Sequence, residues 1–522
     1  MLRQTFIHIP GVGQKTERKL WRQGIRSWQD ARDNGKGLGQ GAPGLNRIRE
    51  HLRESEVQRK ARNILFFLEH LPKPETWRLY PDFAKDLVFL DVETTGLSIA
   101  YDEITVIGLY DLRNVRFFIR GHNLHEFPSA LDPYKLMVTF NGSRFDLPFV
   151  RTAFPGIKLP PGHLDLRFLL RRLGLSGGLK RIEGQLNIAR SRRLEGVSGY
   201  EATVLWNRYL RGDRSALELL LEYNHADIVN LRTLLDYACA GLRRRLLPSS
   251  SVRVPRAPRR PPRSLPMLRV PEPPPEIVSQ GKRAFEVLLE KLTQPAGYPV
   301  VVGIDLTGSE KRPSGWARLR GHDAEAKRLA SDHDLITHTL ACRPDLVSID
   351  SPLSIPEGRH CTSDKCWCRR KYGIARQCER ELWRRGVRVY PCLLPSMQNL
   401  TRRGMRLAAE FRSKGMEVIE SYPGAAQDIL RISRKKTSIE DLKAGIRELG
   451  LTGEFLEASA NHDELDAVTS ALVGYFFLAQ SYEAVGIPEE GYLIIPKKPE
   501  MLSSKYPVPQ TAFRSTSTLH EA

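Results

Sequence analysis

Three short segments carry carboxylates at spacings that let them share a metal ion. In the first, the apolar run DLVFL leads into Asp91-Val92-Glu93-Thr94-Thr95-Gly96. Residues two apart on a strand face the same side, so Asp91 and Glu93 point together. In the second, TFNGSRFDLPFV, Asp146 follows an Asn-Gly turn. In the third, Tyr223-Asn224-His225-Ala226-Asp227 lies in a helical stretch, and the four-residue spacing puts Tyr223 and Asp227 on one face. Four gathered carboxylates repel one another unless cations neutralise them. Hard divalent ions that prefer oxygen, Mg²⁺ or Mn²⁺, suit such a set. Two of them, about 4 Å apart, activate a water and stabilise the leaving oxygen in phosphodiester cleavage.

A second acidic set lies further along. Asp305 ends the strand-like VVVGID, Asp350 ends DLVSID, Glu420 follows MEVI, and Asp463 and Asp466 open a helix in NHDELDA. The three-residue spacing of Asp463 and Asp466 places them on one helical face, with Leu465, Val468, Leu472 and Phe476 turned to the core. Asp305, Asp350, Asp463 and Asp466 are therefore expected to converge on one divalent-metal site. Within the same block come Cys361, Cys366, Cys368 and Cys378, preceded by His360. Four thiolates close a tetrahedral Zn²⁺ site or hold an iron–sulfur cluster. The other reading is of plain thiols in a basic loop. Cys342 and Cys392 are expected in the core.

The elements that must position these residues divide the 522-residue chain into several parts, since 59.3 kDa exceeds one ordinary core. Residues 1–75 are helical and basic. Residues 80–241 alternate apolar strands with helices, the pattern of an α/β domain. Residues 242–280 form an Arg/Pro-rich linker, 281–495 a second α/β domain, and 496–522 a loose tail. The net charge is +20. Residues 1–70 hold 14 Lys/Arg against 7 Asp/Glu, and residues 242–276 hold 9 Arg against 2 Glu. Basic charge so concentrated favours a nucleic-acid partner, because each neutralised phosphate releases counterions. No apolar run is long enough for a membrane span. With no signal-like start and no disulfide framework among seven Cys, a reducing cytoplasmic setting is expected. In FIHIPGVGQKTERK, Gly11 and Gly13 precede a helix beginning near Lys15. Backbone N–H groups there can approach a phosphate, aided by the positive helix end.

The motifs of residues 85–240, D-x-E-T-T-G, F-N-G-x-x-F-D and Y-x-x-x-D, resemble in order those of the DEDD 3′–5′ exonucleases, in particular the YprB-like ribonuclease H-like branch. The resemblance implies that Asp91, Glu93 and Asp227 hold one metal, that Asp91 and Asp146 contact a second, and that Tyr223 orients the attacking water. His225 does not stand at the histidine subtype's spacing and is taken as a neighbour. Asp165 lies where relatives often carry another acid, with its role open. Residues 298–480 resemble the resolvase-like branch of the RNase H fold and an uncharacterised bacterial and archaeal family, predicted to be nucleases, with G-[IV]-D and I-D-x-P-L signatures. The Pro10–Gly13 turn resembles a helix-hairpin-helix, which implies non-specific backbone binding through Gly11, Gly13 and Lys15. The expectation is two RNase H-like domains, each a mixed sheet flanked by helices, behind a small helix-hairpin-helix region. Two alternatives stand beside it: a non-catalytic binding scaffold, and an actin-like ATPase in the second block. The ATPase lacks support in the missing second glycine-bearing phosphate loop and in the absence of a Gly pair between 320 and 480.

Overall fold

The apolar runs that end in acids become the central strands of two separate sheets. A computed structural model describes residues 1–33, 43–247, 270–274, 280–295, 297–432, 439–457 and 459–498. The chain divides into two units, Met1–Ile99 with Glu103–Pro274, and Ala100–Asp102 with Pro275–Ala522. Both are mixed sheets flanked by helices, as the residue pattern predicts.

In the first unit the strands are β1 (Leu87–Thr94), β2 (Ile104–Tyr110), β3 (Val115–Ile119), β4 (Leu136–Thr139) and β5 (Gly162–Asp165), in spatial order β3-β2-β1-β4-β5. β1 pairs antiparallel with β2 and parallel with β4, so it lies in the middle. Leu87, Val88, Phe89 and Leu90 are all buried. A central strand covered on both faces reads as a continuous apolar run rather than an alternating one. The helix Arg214–Leu246 packs across β1 and β2.

The N-terminal region is held by a buried charge network. Glu17, 1% exposed, accepts from the N–H groups of Phe6 and Ile7 at 2.7 and 3.1 Å and pairs with Arg78. Gly13 caps the helix Gln14–Arg22 and Gly11 sits at φ +86°. The element before this turn is a three-residue 3-10 helix, Leu2–Gln4, where the hairpin motif would have a full helix. The region expected as a linker from residue 242 starts helical. Arg243, Arg244 and Arg245 occupy the last turn of the helix ending at Leu246, where cations offset the negative helix end. The rest of that linker, residues 248–269 and 275–279, lies outside the described residues, as does the tail from 499.

The second unit holds β6 (Val300–Asp305), β7 (Ser314–Arg320), β8 (Asp323–Leu329), β9 (Leu346–Asp350), β10 (Val418–Ser421), β11 (Tyr482–Ile487) and β12 (Gly491–Pro496), ordered β11-β12-β10-β9-β6-β7-β8. Its first five strands repeat the order and directions of the first sheet: two antiparallel pairs, then two parallel ones. The helix His462–Leu478 crosses β6 and β7 so closely that a Cβ on Gly315 would lie 1.9 Å from the Asp463 carbonyl oxygen. Glycine is required there for the helix to seat.

Candidate active site

β1 supplies Asp91 and Glu93. Asp146 opens the helix Asp146–Ala153, and its Oδ1 accepts the Val92 N–H at 3.0 Å, which ties it to β1 between the two acids. The turn before it is unusual, with Asn141 at φ +64°. Asp165 explains how that turn holds. Its carboxylate accepts from the N–H groups of Asn141 (2.8 Å) and Ser143 (3.1 Å), and it also caps the helix Leu166–Arg171 through the Arg167 N–H. Asp165 therefore positions the segment that carries Asp146.

Asp227 comes from the helix Arg214–Leu246, which reaches β1 because Gly108 on β2 leaves room. A Cβ there would stand 1.9 Å from Asn224 Oδ1. Asn224 in turn donates through Nδ2 to Asp91 Oδ2 at 2.9 Å and to Glu93 Oε1 at 3.3 Å. Its Oδ1 is a buried acceptor without a hydrogen-bond partner, and Arg190 Nη1 is a buried donor without one.

Asp91, Glu93 and Asp227 each offer a ligand oxygen, and these oxygens lie within 4.8 Å of one another. At an effective dielectric of about 20, each ionised pair at that separation repels by about 3–4 kcal/mol. Burial adds to this. Desolvation first, then the neighbouring acids, pushes Asp91 well above the usual carboxylate range and Glu93 up to about 8. Desolvation likewise raises Asp146 to about 7 and Asp227 to about 6, Arg190 opposing the rise at Asp227. Such a group is a poor set of bare anions and a good set of ligands for a divalent cation.

Basic groups stand beside the acids. Arg190 pairs with Asp227 and with Glu183, the latter at 2.6 Å, and Asn230 donates to Glu183 at 3.0 Å. Tyr223, 5% exposed, faces Lys180 Nζ at 4.6 Å from its ring centre and the Arg190 guanidinium at 5.8 Å. Burial and the carboxylates push its hydroxyl pKa up, so it stays protonated. His225 is not part of the acid group, and burial lowers its pKa. Asn224 had a signal in the sequence, since it stands three residues before Asp227 on the same helix. Arg190 had none. It lies in the aperiodic run ARSRR, where nothing distinguishes it from its neighbours.

The second acidic set is arranged differently. Asp305 and Asp350 end adjacent parallel strands as direct register partners, and the closing helix brings Asp463 over β7 at Gly315. Asp466 accepts from Gln427 Nε2 at 2.8 Å, and Glu420 forms a buried ion pair with Arg376. Among the described residues, the groups with three ligand atoms within 4.8 Å of one another do not include these acids. Of the four cysteines, Cys361, Cys366 and Cys368 come together with His360, and Cys378 does not join them. It is fully buried with Leu382, Ala425 and Val485. Gly11, Gly13 and Lys15 are exposed at the N-terminal turn, and a Cβ on either glycine would meet nothing within 4 Å. No described helix is long and apolar enough to cross a membrane.

Residues 88–239 match RNase_H_2, a family of the RNase_H superfamily, so this part of the chain is an RNase H-like domain. No curated protein sequence matches the chain. Among solved structures, NrnC of Brucella melitensis with bound Mg²⁺ is 20% identical, the match covering 33% of this chain and 92% of that one with a TM-score of 0.17. A second NrnC structure from the same organism is 18% identical, with the same coverage and a TM-score of 0.18. The family B DNA polymerase of the hyperthermophilic archaeon Pyrobaculum calidifontis is 12% identical over 80% of this chain and 54% of its own, with a TM-score of 0.24.

Proposed function

We propose that the first unit is a metal-dependent nuclease that shortens nucleic-acid strands from the 3′ end. The observation that carries this is the group Asp91, Glu93 and Asp227, with ligand oxygens within 4.8 Å of one another, Asp91 half-buried and the other two buried. The superfamily match over 88–239 supports a nuclease of this class. The buried acids and their raised pKa values fit a divalent cation. Asp91, Glu93 and Asp227 would hold one Mg²⁺ or Mn²⁺, and Asp91 with Asp146 a second. When bound, such ions lower the pKa of a water and offset charge on the leaving oxygen.

The chain's own groups do the rest. Asn224 fixes the rotamers of Asp91 and Glu93. Tyr223 keeps its proton and can donate a hydrogen bond to the attacking water. Arg190 and Lys180 supply positive charge for the scissile phosphate. The water oxygen bonds to phosphorus as the P–O3′ bond breaks, its proton passing to solvent. A nucleoside 5′-monophosphate leaves, and the shortened strand retains a protonated 3′-hydroxyl. The exposed turn with Gly11, Gly13 and Lys15 would grip the strand's phosphates, and the second unit would serve as a nuclease-like or binding partner domain. Strands labelled at the 5′ end should give a descending ladder, and strands labelled at the 3′ end should release the label as a mononucleotide at once. Internal cuts from the first time point would refute the 3′–5′ assignment.

A further inference from the structure

Between β9 and the helix Gln377–Arg384 the chain runs through residues 351–376 with one six-residue helix, Trp367–Tyr372, among them. Irregular stretches longer than about 12–15 residues in compact domains need something to organise them. Part of the answer is Arg359, which is 7% exposed. Its guanidinium donates to the carbonyls of Cys361 (2.9 Å), Ser363 (3.1 Å) and Gly373 (3.1 Å), drawing the two ends of the loop together. That leaves the middle, where Cys366 caps the short helix and Cys368 sits in its first turn.

We infer that His360, Cys361, Cys366 and Cys368 form a structural Zn²⁺ site in the second unit. Their four ligand atoms lie within 4.8 Å of one another. Cys361 Sγ and Cys368 Sγ are 3.8 Å apart, and His360 Nε2 is 3.2 Å from Cys366 Sγ. Zn–S bonds of about 2.3 Å at a tetrahedral angle put two sulfurs about 3.8 Å apart, and a Zn–N bond of about 2.0 Å puts sulfur and nitrogen about 3.5 Å apart. The first separation is met, and the second is met within about 0.3 Å. A disulfide would need the sulfurs at about 2.05 Å, far closer than they stand. A cluster of two or more irons would need its ligands spread around several metal atoms, beyond what this spacing allows.

The fourth ligand is the histidine and not the cysteine that spacing suggests. Cys378 is 0% exposed in an apolar cluster, and burial pushes its thiol pKa up, which disfavours the thiolate that zinc needs. Four protein ligands leave no open position, so the site is structural rather than catalytic. What it would hold in place is an exposed basic knuckle bearing Lys365, Trp367, Arg369 and Arg370, with the Trp367 ring centre 5.7 Å from that of His360 and the two rings tilted at 48°.

The test uses full-length protein purified without added metal and dialysed against EDTA strong enough to strip carboxylate-held ions. Elemental analysis should give one zinc per chain, and X-ray absorption should give three sulfurs at about 2.3 Å and one nitrogen at about 2.0 Å. His360→Ala should speed zinc release to a chelator by at least ten-fold, while Cys378→Ala keeps one zinc. Protein without bound metal, four sulfur neighbours, iron–iron scattering, or unchanged zinc release in His360→Ala would each overturn the assignment.

Discussion

Gly108→Ala probes how the site is built without touching a ligand. The new Cβ would stand 1.9 Å from Asn224 Oδ1, 3.0 Å from its Cγ and 3.1 Å from Ile228 Cδ1. Two responses are open. The Asn224 side chain can swing away and give up its bonds to Asp91 and Glu93, each worth about 0.5–1.5 kcal/mol in metal-free protein, where these acids hold their protons. Otherwise the helix Arg214–Leu246 lifts from β2, and overpacking of this kind costs about 1–3 kcal/mol. The cheaper response sets the outcome, so a loss of about 1–3 kcal/mol is expected. Either route disturbs the clamp on Asp91 and Glu93, so nuclease activity should fall at least ten-fold. Hydrogen exchange at β1 and at the helix in the full-length protein reads the local opening free energy. The double variant sharpens the test. In an Asn224→Ala background the clashing atom is gone, so adding Gly108→Ala should cost at least about 1 kcal/mol less than it does alone. A Gly108→Ala protein with unchanged exchange and activity, or costs that simply add, would refute the argument.

Asp165→Ala leaves the N–H groups of Asn141, Ser143 and Arg167 without their acceptor, so it should cost about 1–3 kcal/mol and lower activity although Asp165 is not a ligand. Asp165→Asn, which keeps an acceptor oxygen, should recover part of both, and equal losses in the two variants would count against the turn-holding role. His8 is buried, 2.8 Å from Ser55 Oγ, and burial followed by the charges of His70, His51 and Arg78 lowers its pKa from 6.5 to about 3. The folded state binds fewer protons than the unfolded one, so its stability contribution is intact above pH 6.5 and declines below it. The decline is up to about 1.4 kcal/mol per pH unit. His8→Gln should flatten the acid limb of denaturation midpoints, and an unchanged limb would contradict the prediction. Replacing the exposed Lys15, Arg18 and Lys19 with Ala should reduce the salt slope of single-strand binding by about 2, at about 0.7 per phosphate contact. An unchanged slope would place the binding surface elsewhere.

The central strands were legible because they are covered on both faces. LVFL and VVVGI are unbroken apolar runs, and each is followed directly by an acid, Asp91 or Asp305. Edge strands carried no such signal. β8, DAEAKRL, is mostly polar because an edge needs little burial, and β5 consists of only Gly162–Asp165. The acids of the first site could be found because strand alternation and helical spacing are local rules. Arg190 could not, since its partnership with Asp227 is a contact between residues 37 apart in the chain. Cys378 misled for a related reason. Counting cysteines groups it with the other three, but the helix Gln377–Arg384 carries it into the apolar cluster, while the turn at Gly358 leaves His360 beside Cys366. In the second acidic set, strand ends placed Asp305 and Asp350 side by side, while the Gln427 amide that donates to Asp466 is a contact across 39 residues that no local rule reveals.

The central claim is that the acids on β1 and the helix Arg214–Leu246 are a metal-dependent nuclease centre. Its most direct test is degradation of labelled single-stranded DNA and RNA by the full-length protein and by Asp91→Asn, with Mn²⁺, with Mg²⁺ and with EDTA, alongside Mn²⁺ titration calorimetry. The account predicts degradation that requires the metal, falls to background in Asp91→Asn, persists in Asp305→Asn, and disappears together with calorimetric Mn²⁺ binding at the first site. Undiminished degradation by a folded Asp91→Asn protein, or degradation in EDTA, would contradict it.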